Sequence, residues 1–348
     1  MIFHGSGRAL ELREDDVPTP PPGGVVIRTV LGGVCGTDAH RLGGHLLDPQ
    51  HPVCFGHEGV GRIEELGAGC TADAVGEHVA LGDLVYWTPS GRTPSAVPDT
   101  GWPPSADLPS PASFQDYATL GPENCFYRIP DDVSPEAVIA FGCAMPTSLG
   151  GMTRLGGIKP GQSVVVQGCG PVGLSSTLLA SLHEADPLIV IDAPGERLTA
   201  AARLGATTTI PLLSTSEDTR RAIVLELTRG RGADIVIEAT GRLEAFPEGM
   251  SLLATSGRYL VLGLYSAARR VSLDVVDLNN RSLAVIGSMG PASFDDYRTT
   301  IDLAREHGDR LGFEQLVTHR FPLADTEEAI GVVSRGEAIK AVVEPLRG

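Results

Sequence analysis

The stretch from residue 161 to residue 192 limits the fold more than any other part of the chain. GQSVVVQG reads as a buried strand, CGPVGLSSTLLASLHEA opens a helix, and PLIVID is a second strand ending at Asp192. A strand, a glycine turn, a helix and a strand in that order make a βαβ unit, which puts the two strands parallel. The alternation continues. GERLTAAARLGA reads as a helix, TTTIP as a strand, EDTRRAIVLELTRG as a helix and ADIVIEATG as a strand. LEAFPEGMSLLA, RYLVLGLY and SLAVIGSM extend the series as a helix and two strands. Strands this rich in Val and Ile are buried on both faces, so the expectation for 150–291 is an α/β, doubly wound parallel sheet.

Gly168-Cys169-Gly170-Pro171-Val172-Gly173 is a GxGxxG sequence in the context its mechanism needs, after a strand and at the start of a helix. Gly168 permits the turn, Gly170 lets a pyrophosphate approach the backbone, and Gly173 allows close packing of helix on strand. Pro171 and Val172 complete the loop at the helix N-terminus, where main-chain N–H groups face an anion. Asp192 lies nineteen positions after Gly173 and can accept both ribose hydroxyls of an adenosine. Its charge opposes a 2′-phosphate, which favours NAD over NADP. Arg197 is near enough in sequence to accommodate that phosphate and pulls the other way. Thr240 in IEATG and Gly263 in RYLVLGLY are the remaining expected cofactor contacts. Cys169 fills a variable position and is expected to be inert. The bland alternative is a glycine-rich turn beside a solvated aspartate.

Before residue 150 the pattern is different. VVIRTVLGGV, GVGRIEELG and GDLVYW read as short strands divided by turns, which suggests a β-rich, partly closed unit. Residues 88–113 are rich in proline with no apolar period, and read as a solvated loop or as a lid or subunit contact using Trp102. After 292 come a helix near 293–306, a strand at LVTHRF, a helix from 324 and a strand at KAVVEP. This tail is expected to return to the first unit. The division is therefore 1–149 with 292–348, around 150–291, as a chain of 348 residues favours two domains. A formal net charge of −16 argues against nucleic acid and against an anionic membrane surface as partners. No apolar run is long enough for a membrane span, and the first residues lack a signal-peptide core. Six cysteines scattered through a chain of this length suit a reducing cytoplasm with thiols kept for metal.

The chemistry concentrates in GVCGTDAH and PVCFGHEGVG. Cys35 and His57 offer a thiolate and an imidazole to zinc, and a catalytic site needs a third protein ligand. Cys143 in AFGCAMPTS, just before the chain enters the cofactor domain, is the best candidate; a ligand there puts the metal beside the nicotinamide. Cys54, three residues from His57, is its rival. Cys70 and Cys125 read as packed side chains and His51 as a loop residue. Asp38 suits an acceptor that orients His57, and Glu58 either a supporting carboxylate or a transient fourth ligand.

These residues resemble the zinc-dependent medium-chain alcohol dehydrogenases. The resemblance covers nearly the whole chain and rests on GVCGTDAH, GHEGVG with the later GDLV, GCAMPTS, GCGPVG with Asp192, and IEATG. It implies a GroES-like catalytic domain, split in sequence, around a Rossmann domain. It implies Cys35, His57 and Cys143 as ligands of the catalytic zinc, with Glu58 as the carboxylate beside them. Thr37 matches the hydroxyl that receives the alcohol proton, His40 the outer histidine of the relay through a cofactor ribose hydroxyl, and Asp38 the aspartate behind the zinc-bound histidine. The implied reaction is NAD-linked interconversion of a small-molecule alcohol and its aldehyde or ketone, in a homodimer or homotetramer. Most relatives hold a second, structural zinc on four cysteines after GDLV. Here that region, 88–113, has no cysteine, so one zinc per chain is expected. TADAVGEHVAL is extra sequence without a functional account. Two other readings are a zinc-free enone or quinone reductase of the same fold and a non-catalytic dinucleotide-binding protein. The ligand set argues against the first and the Thr37–His40 relay against the second. The substrate stays open: Tyr86 and Trp87 fit pocket lining or core equally, and Arg41 fits a solvated or phosphate-contacting residue better than a site for an anionic substrate.

Overall fold

The structure is a computed structural model that describes residues 1–49, 51–91, 110–193, 195–265 and 270–346, without the side chains of 89–91. Trp102 and residues 92–109 of the proline-rich stretch lie outside the described residues. Chain order begins with β1 (Ile2–Phe3), β2 (Val25–Val34), α1 (Gly36–Leu42), β3 (Val53–Cys54) and β4 (Gly59–Leu66). It goes on through β5 (Leu84–Gly91), β6 (Tyr117–Leu120), β7 (Asn124–Arg128) and α2 (Pro135–Ile139). The middle holds α3 (Ala144–Leu155), β8 (Val164–Gln167), α4 (Pro171–Leu182), β9 (Leu188–Asp192), α5 (Gly195–Arg203) and β10 (Thr208–Pro211). It continues with α6 (Glu217–Leu227), β11 (Ala233–Glu238), α7 (Ala245–Leu252), β12 (Leu253–Val261), α8 (Val275–Asn280) and β13 (Ala284–Gly287). The tail has α9 (Asp295–Leu311), β14 (Val317–Pro322), α10 (Thr326–Ser334) and β15 (Lys340–Glu344). Two compact units result: Met1–Cys143 with Ser293–Gly348, and Ala144–Ala292.

In the first unit β2 is the organising strand. VVIRTVLGGV is buried at nearly every position because both its edges and faces are covered. One edge pairs with β4 along most of its length. The other pairs with β6 at Val25–Arg28 and then with β15, where Val342 faces Gly33. The sheet order is β14-β15-β2-β4-β5-β7, with β6 on β2. Trp87 is fully buried with Val25, Ile27, Val85 and Phe126, so core packing is its role and pocket lining is not. Residues 88–91 also depart from the loop expectation, because β5 runs on to Gly91. The extra segment 71–81 is a staple. Buried Asp73 accepts the N–H groups of Val75 and Glu77 and, with its other oxygen, that of Arg128.

In the second unit all six strands are parallel, in the order β10-β9-β8-β11-β12-β13. Consecutive strands run outward from β8 on one side and from β11 on the other. The strand order thus reverses beside β8, and such a switch point leaves a crevice at the carboxyl ends of the strands. The glycine loop occupies that end of β8. The interior is Val, Ile and Leu from the strands, with Tyr259 bonded to buried Gln167. Among the described residues, no helix is long and apolar enough to cross a membrane.

Candidate metal centre and cofactor loop

Cys35, His57 and Cys143 are brought together in the first unit, with their ligand atoms all within 4.8 Å of one another. Sγ of Cys143 is 3.5 Å from Sγ of Cys35 and 3.6 Å from Nε2 of His57. A tetrahedral zinc with bonds of about 2.3 Å to sulfur and about 2.0 Å to nitrogen has ligand-to-ligand edges of roughly 3.5 to 3.8 Å. The two edges from Cys143 stand at that spacing, and soft thiolates with an imidazole suit zinc. Cys54, the rival ligand, is buried in β3 against Ile2 and is not in the group. Cys70 and Cys125 are buried, and His51 is an exposed loop residue.

A short helix that the sequence did not announce holds the first donor. Cys35 is the N-cap of α1, and Asp38, in its first turn, reaches back to accept the Cys35 N–H at 2.8 Å. The other Asp38 oxygen meets Nδ1 of His57 at 3.2 Å. One buried carboxylate therefore locks two donors. With Nδ1 donating to Asp38, Nε2 keeps its lone pair toward the two sulfurs. The electrostatics are those of a crowded acidic site. The hydrogen bond from Cys143, and after it His57, holds the Cys35 thiol well below the ordinary thiol range despite burial. That same bond, then burial, pushes the Cys143 thiol well up. Burial disfavours a charged His57, but Asp38 and Cys35 together outweigh it and raise the imidazole well above its usual value.

Thr37 places Oγ1 3.7 Å from Sγ of Cys35. His40 is half-buried on α1, its ring 5.7 Å from that of His45. Burial, then the charge of His45, holds its imidazole below the ordinary value. Arg41 is 3% exposed and gives Nη1 to the Leu47 carbonyl, so the solvated reading fails. Tyr86 is fully buried, and its hydroxyl has no partner among the described residues.

Glu58 is fully buried and accepts the Cys143 N–H at 2.5 Å through Oε2. Its Oε1 is paired with Nζ of Lys340, a buried cation from the far end of the chain. Sequence reasoning missed Lys340. KAVVEP reads as a strand, and nothing in it marks the lysine at its start as a buried cation.

In the second unit Gly170 is the N-cap of α4 and Pro171 its first residue, so the free N–H groups at that end point outward. A Cβ on Gly173 would lie 1.8 Å from the Gly168 carbonyl oxygen, the close helix–strand approach expected of the third glycine. A Cβ on Gly170 would meet nothing within 4 Å, which leaves room over the loop. Asp192 ends β9 and accepts the N–H of Cys169 at 2.5 Å and that of Ala193 at 2.6 Å. Cys169 is buried; its thiol is raised by burial and by Asp192, while Arg197 lowers it, which puts all three side chains in one neighbourhood. Thr240 donates its N–H and its hydroxyl to Oε1 of Glu238, at 2.6 and 2.5 Å. The Gly263 N–H bonds to the Glu238 carbonyl at 3.0 Å. Both expected contacts thus sit at the ends of β11 and β12, beside Glu238, a buried glutamate that the sequence reading did not single out.

The donors call for a divalent cation and the parallel sheet for a dinucleotide, and a chain with both falls among the metal-dependent, nicotinamide-linked oxidoreductases. Comparison with known proteins narrows this. The alcohol dehydrogenase GroES-like domain family matches residues 21–131, and the zinc-binding dehydrogenase family matches residues 171–306. The 5-exo-hydroxycamphor dehydrogenase of Pseudomonas putida is 40% identical over 345 residues, 96% of this chain and 95% of that protein. A sorbitol dehydrogenase of Halalkalibacterium halodurans is 30% identical over 356 aligned positions, 99% of this chain and 97% of that protein. The crystal structure of an alcohol dehydrogenase from Thermotoga maritima matches with a TM-score of 0.89 at 26% identity, over 99% of this chain and 98% of that one. The chain belongs to the zinc-dependent alcohol dehydrogenase family of medium-chain dehydrogenases, with a GroES-like unit and a Rossmann sheet. Two cysteines and one histidine are also the catalytic zinc set described for alcohol dehydrogenases in general.

Proposed function

We propose that this protein is an NAD-linked dehydrogenase that interconverts an alcohol and its aldehyde or ketone at one zinc per chain. The observation that carries the reading is the Cys35–His57–Cys143 group with His57 locked by Asp38. When bound, zinc supplies a Lewis acid for the alcohol or carbonyl oxygen, and the dinucleotide supplies the hydride acceptor. The chain's own residues do the rest. Asp38 keeps His57 in the metal-binding tautomer and fixes the Cys35 backbone. Thr37 takes the alcohol proton, and His40, three residues on along α1, passes it toward solvent. Only neutral imidazole can accept a proton, and the lowered His40 pKa keeps it neutral over a wider range.

Asp192 supports NAD, because a carboxylate at that place opposes a 2′-phosphate. The hydroxycamphor relative, more similar than the polyol ones, makes cyclic secondary alcohols the first substrates to try. The buried Arg41 leaves no support there for an anionic substrate. Six cysteines outside any disulfide suit a cytoplasmic enzyme. A homo-oligomer is supported by the outer edge of β13, which pairs with no strand among the described residues, with Val275, Val276 and Met289 exposed nearby. The test is reduction of a carbonyl panel by NADH and NADPH in parallel, followed by nicotinamide absorbance, with Cys35→Ser as control. Turnover with NADH that is lost together with zinc in the variant is the expected result. A zinc-free Cys35→Ser protein with full activity overturns the reading.

A further inference from the structure

Glu58 and Lys340 are 0% and 1% exposed in their side chains, and nothing in the reaction as read so far uses the lysine. Two buried charges from positions 282 residues apart need a reason, because taking an ion pair out of water is costly. The surroundings show a slot built for the carboxylate. A Cβ on Gly142 would lie 1.9 Å from Oε2 of Glu58, and a Cβ on Gly33 would lie 2.6 Å from Oε1. Only glycine leaves room at either place. The Gly33 N–H also bonds to the Glu58 carbonyl at 2.9 Å. Oε2 is held by the Cys143 N–H and Oε1 by Lys340, so each oxygen has one strong donor and the carboxylate cannot rotate without losing both.

The position of this carboxylate matters because it sits among ligands. His57 is the preceding residue, and Cys143 holds Oε2 through its own amide. A divalent cation on those donors is the strongest attraction an unpaired carboxylate would feel there. We propose that Lys340 is a positioning residue of the metal centre: it pins the Glu58 carboxylate in the slot between Gly33 and Gly142 and so prevents it from becoming a fourth ligand. The inference rests on the zinc-centre reading above and deepens it. The open coordination position, which a catalytic site needs, is guarded by a cation delivered from the last strand of the split unit.

The test uses the full-length protein with cobalt(II) in place of zinc. Wild-type protein should show the thiolate-to-cobalt charge-transfer band and the intense visible bands of a four-coordinate ion. Lys340→Met should keep the charge-transfer band but lose visible intensity severalfold, as a carboxylate oxygen joins the metal. Its kcat/KM for the alcohol should fall about 10- to 100-fold. The double variant Glu58→Gln, Lys340→Met puts a neutral amide in a neutral slot and should recover the four-coordinate spectrum. Lys340→Gln keeps a donor for Oε1 without the charge; should the methionine variant not fold, it should show the same direction of change. Unchanged visible bands in the folded single variants, with only a lower melting temperature, would make Lys340 merely structural and overturn the proposal. A wild-type protein with no thiolate-to-cobalt band would overturn the zinc-centre reading instead, and the proposal with it.

Discussion

Stripping the metal from this protein and returning zinc at neutral pH should release about two protons per chain. The count follows from the groups around the donors. Without metal, Cys35 is the thiolate of the coupled pair and Cys143 the thiol. His57 is held protonated by Asp38. Asp38 faces His57 and Glu58 faces Lys340 as ion pairs. The centre then carries three anions and two cations. Ligation needs both sulfurs as thiolates and Nε2 of His57 free of its proton, so one proton leaves Cys143 and one leaves His57. Four anions then face Lys340 and a divalent ion. One net negative charge is present before and after, so binding exchanges two protons for zinc without building charge in a buried site. The sign for pH follows. Both raised groups are protonated at neutral pH, so zinc affinity should climb about 100-fold per pH unit while two protons are released, and more slowly once the pH passes the raised His57 value. Calorimetry of zinc binding to the apoprotein, in buffers of different ionisation enthalpy at one pH, reads the number directly. A release near zero, or an affinity flat with pH, would refute this assignment of protons.

Asp38→Asn should weaken zinc binding about 10- to 100-fold in a chelator competition. Its amide cannot accept from both the Cys35 N–H and Nδ1 of His57, so one donor is left facing an NH2 group. Gly173→Ala puts a Cβ 1.8 Å from the Gly168 carbonyl oxygen and should abolish NADH binding, measured by fluorescence, at a stability cost of roughly 1–3 kcal/mol. Asp192→Asn should raise NADP use relative to NAD in steady-state kinetics, because it removes the charge that opposes a 2′-phosphate. His45→Gln should move the acid limb of kcat/KM for alcohol oxidation to higher pH, toward the ordinary histidine value of about 6.5, since the charge of His45 helps to hold His40 down. An unmoved limb would remove His40 from the proton path.

The parallel sheet was legible because each of its signals is local. Glycine spacing, Val-rich strands and amphipathic helices sit within a dozen residues of one another, and β8 to β13 appear where those patterns lie. The three donors were legible for a different reason, since thiols and imidazoles are scarce and their types announce a metal. What stayed hidden was set by neighbours distant in sequence. Helix α1 is seven residues long and is capped by the same Asp38 that orients His57, so no helical period marks it. Tyr86 and Trp87 carried no local sign of burial; Trp87 is placed by packing against β2, β6 and β7. Arg41 looked solvated because charged residues usually are, and only the fold shows it buried.

The most informative hidden residues are two fully buried glutamates, Glu58 and Glu238, and they obey one rule. In the first unit Glu58 lies against Gly33 and Gly142 and spends its oxygens on Lys340 and the Cys143 N–H. In the second unit Glu238 lies against Gly263, where a Cβ would come within 2.3 Å of Oε2, and its Oε1 gathers Thr240 and Gly241. Each carboxylate is an acceptor with no donor of its own, so it can gather several N–H groups at one point where a neutral side chain would have to give as well as take. Burial strengthens those bonds and makes any alternative arrangement costly. A glutamate in a strand or turn has the same letter whether it is solvated or buried this way. The distinguishing mark is the glycine that makes room for it, and here that glycine lies 25 residues or more away in the chain. The precision of the donor group and of the cofactor turn therefore depends on residues whose types, taken singly, announce no chemistry.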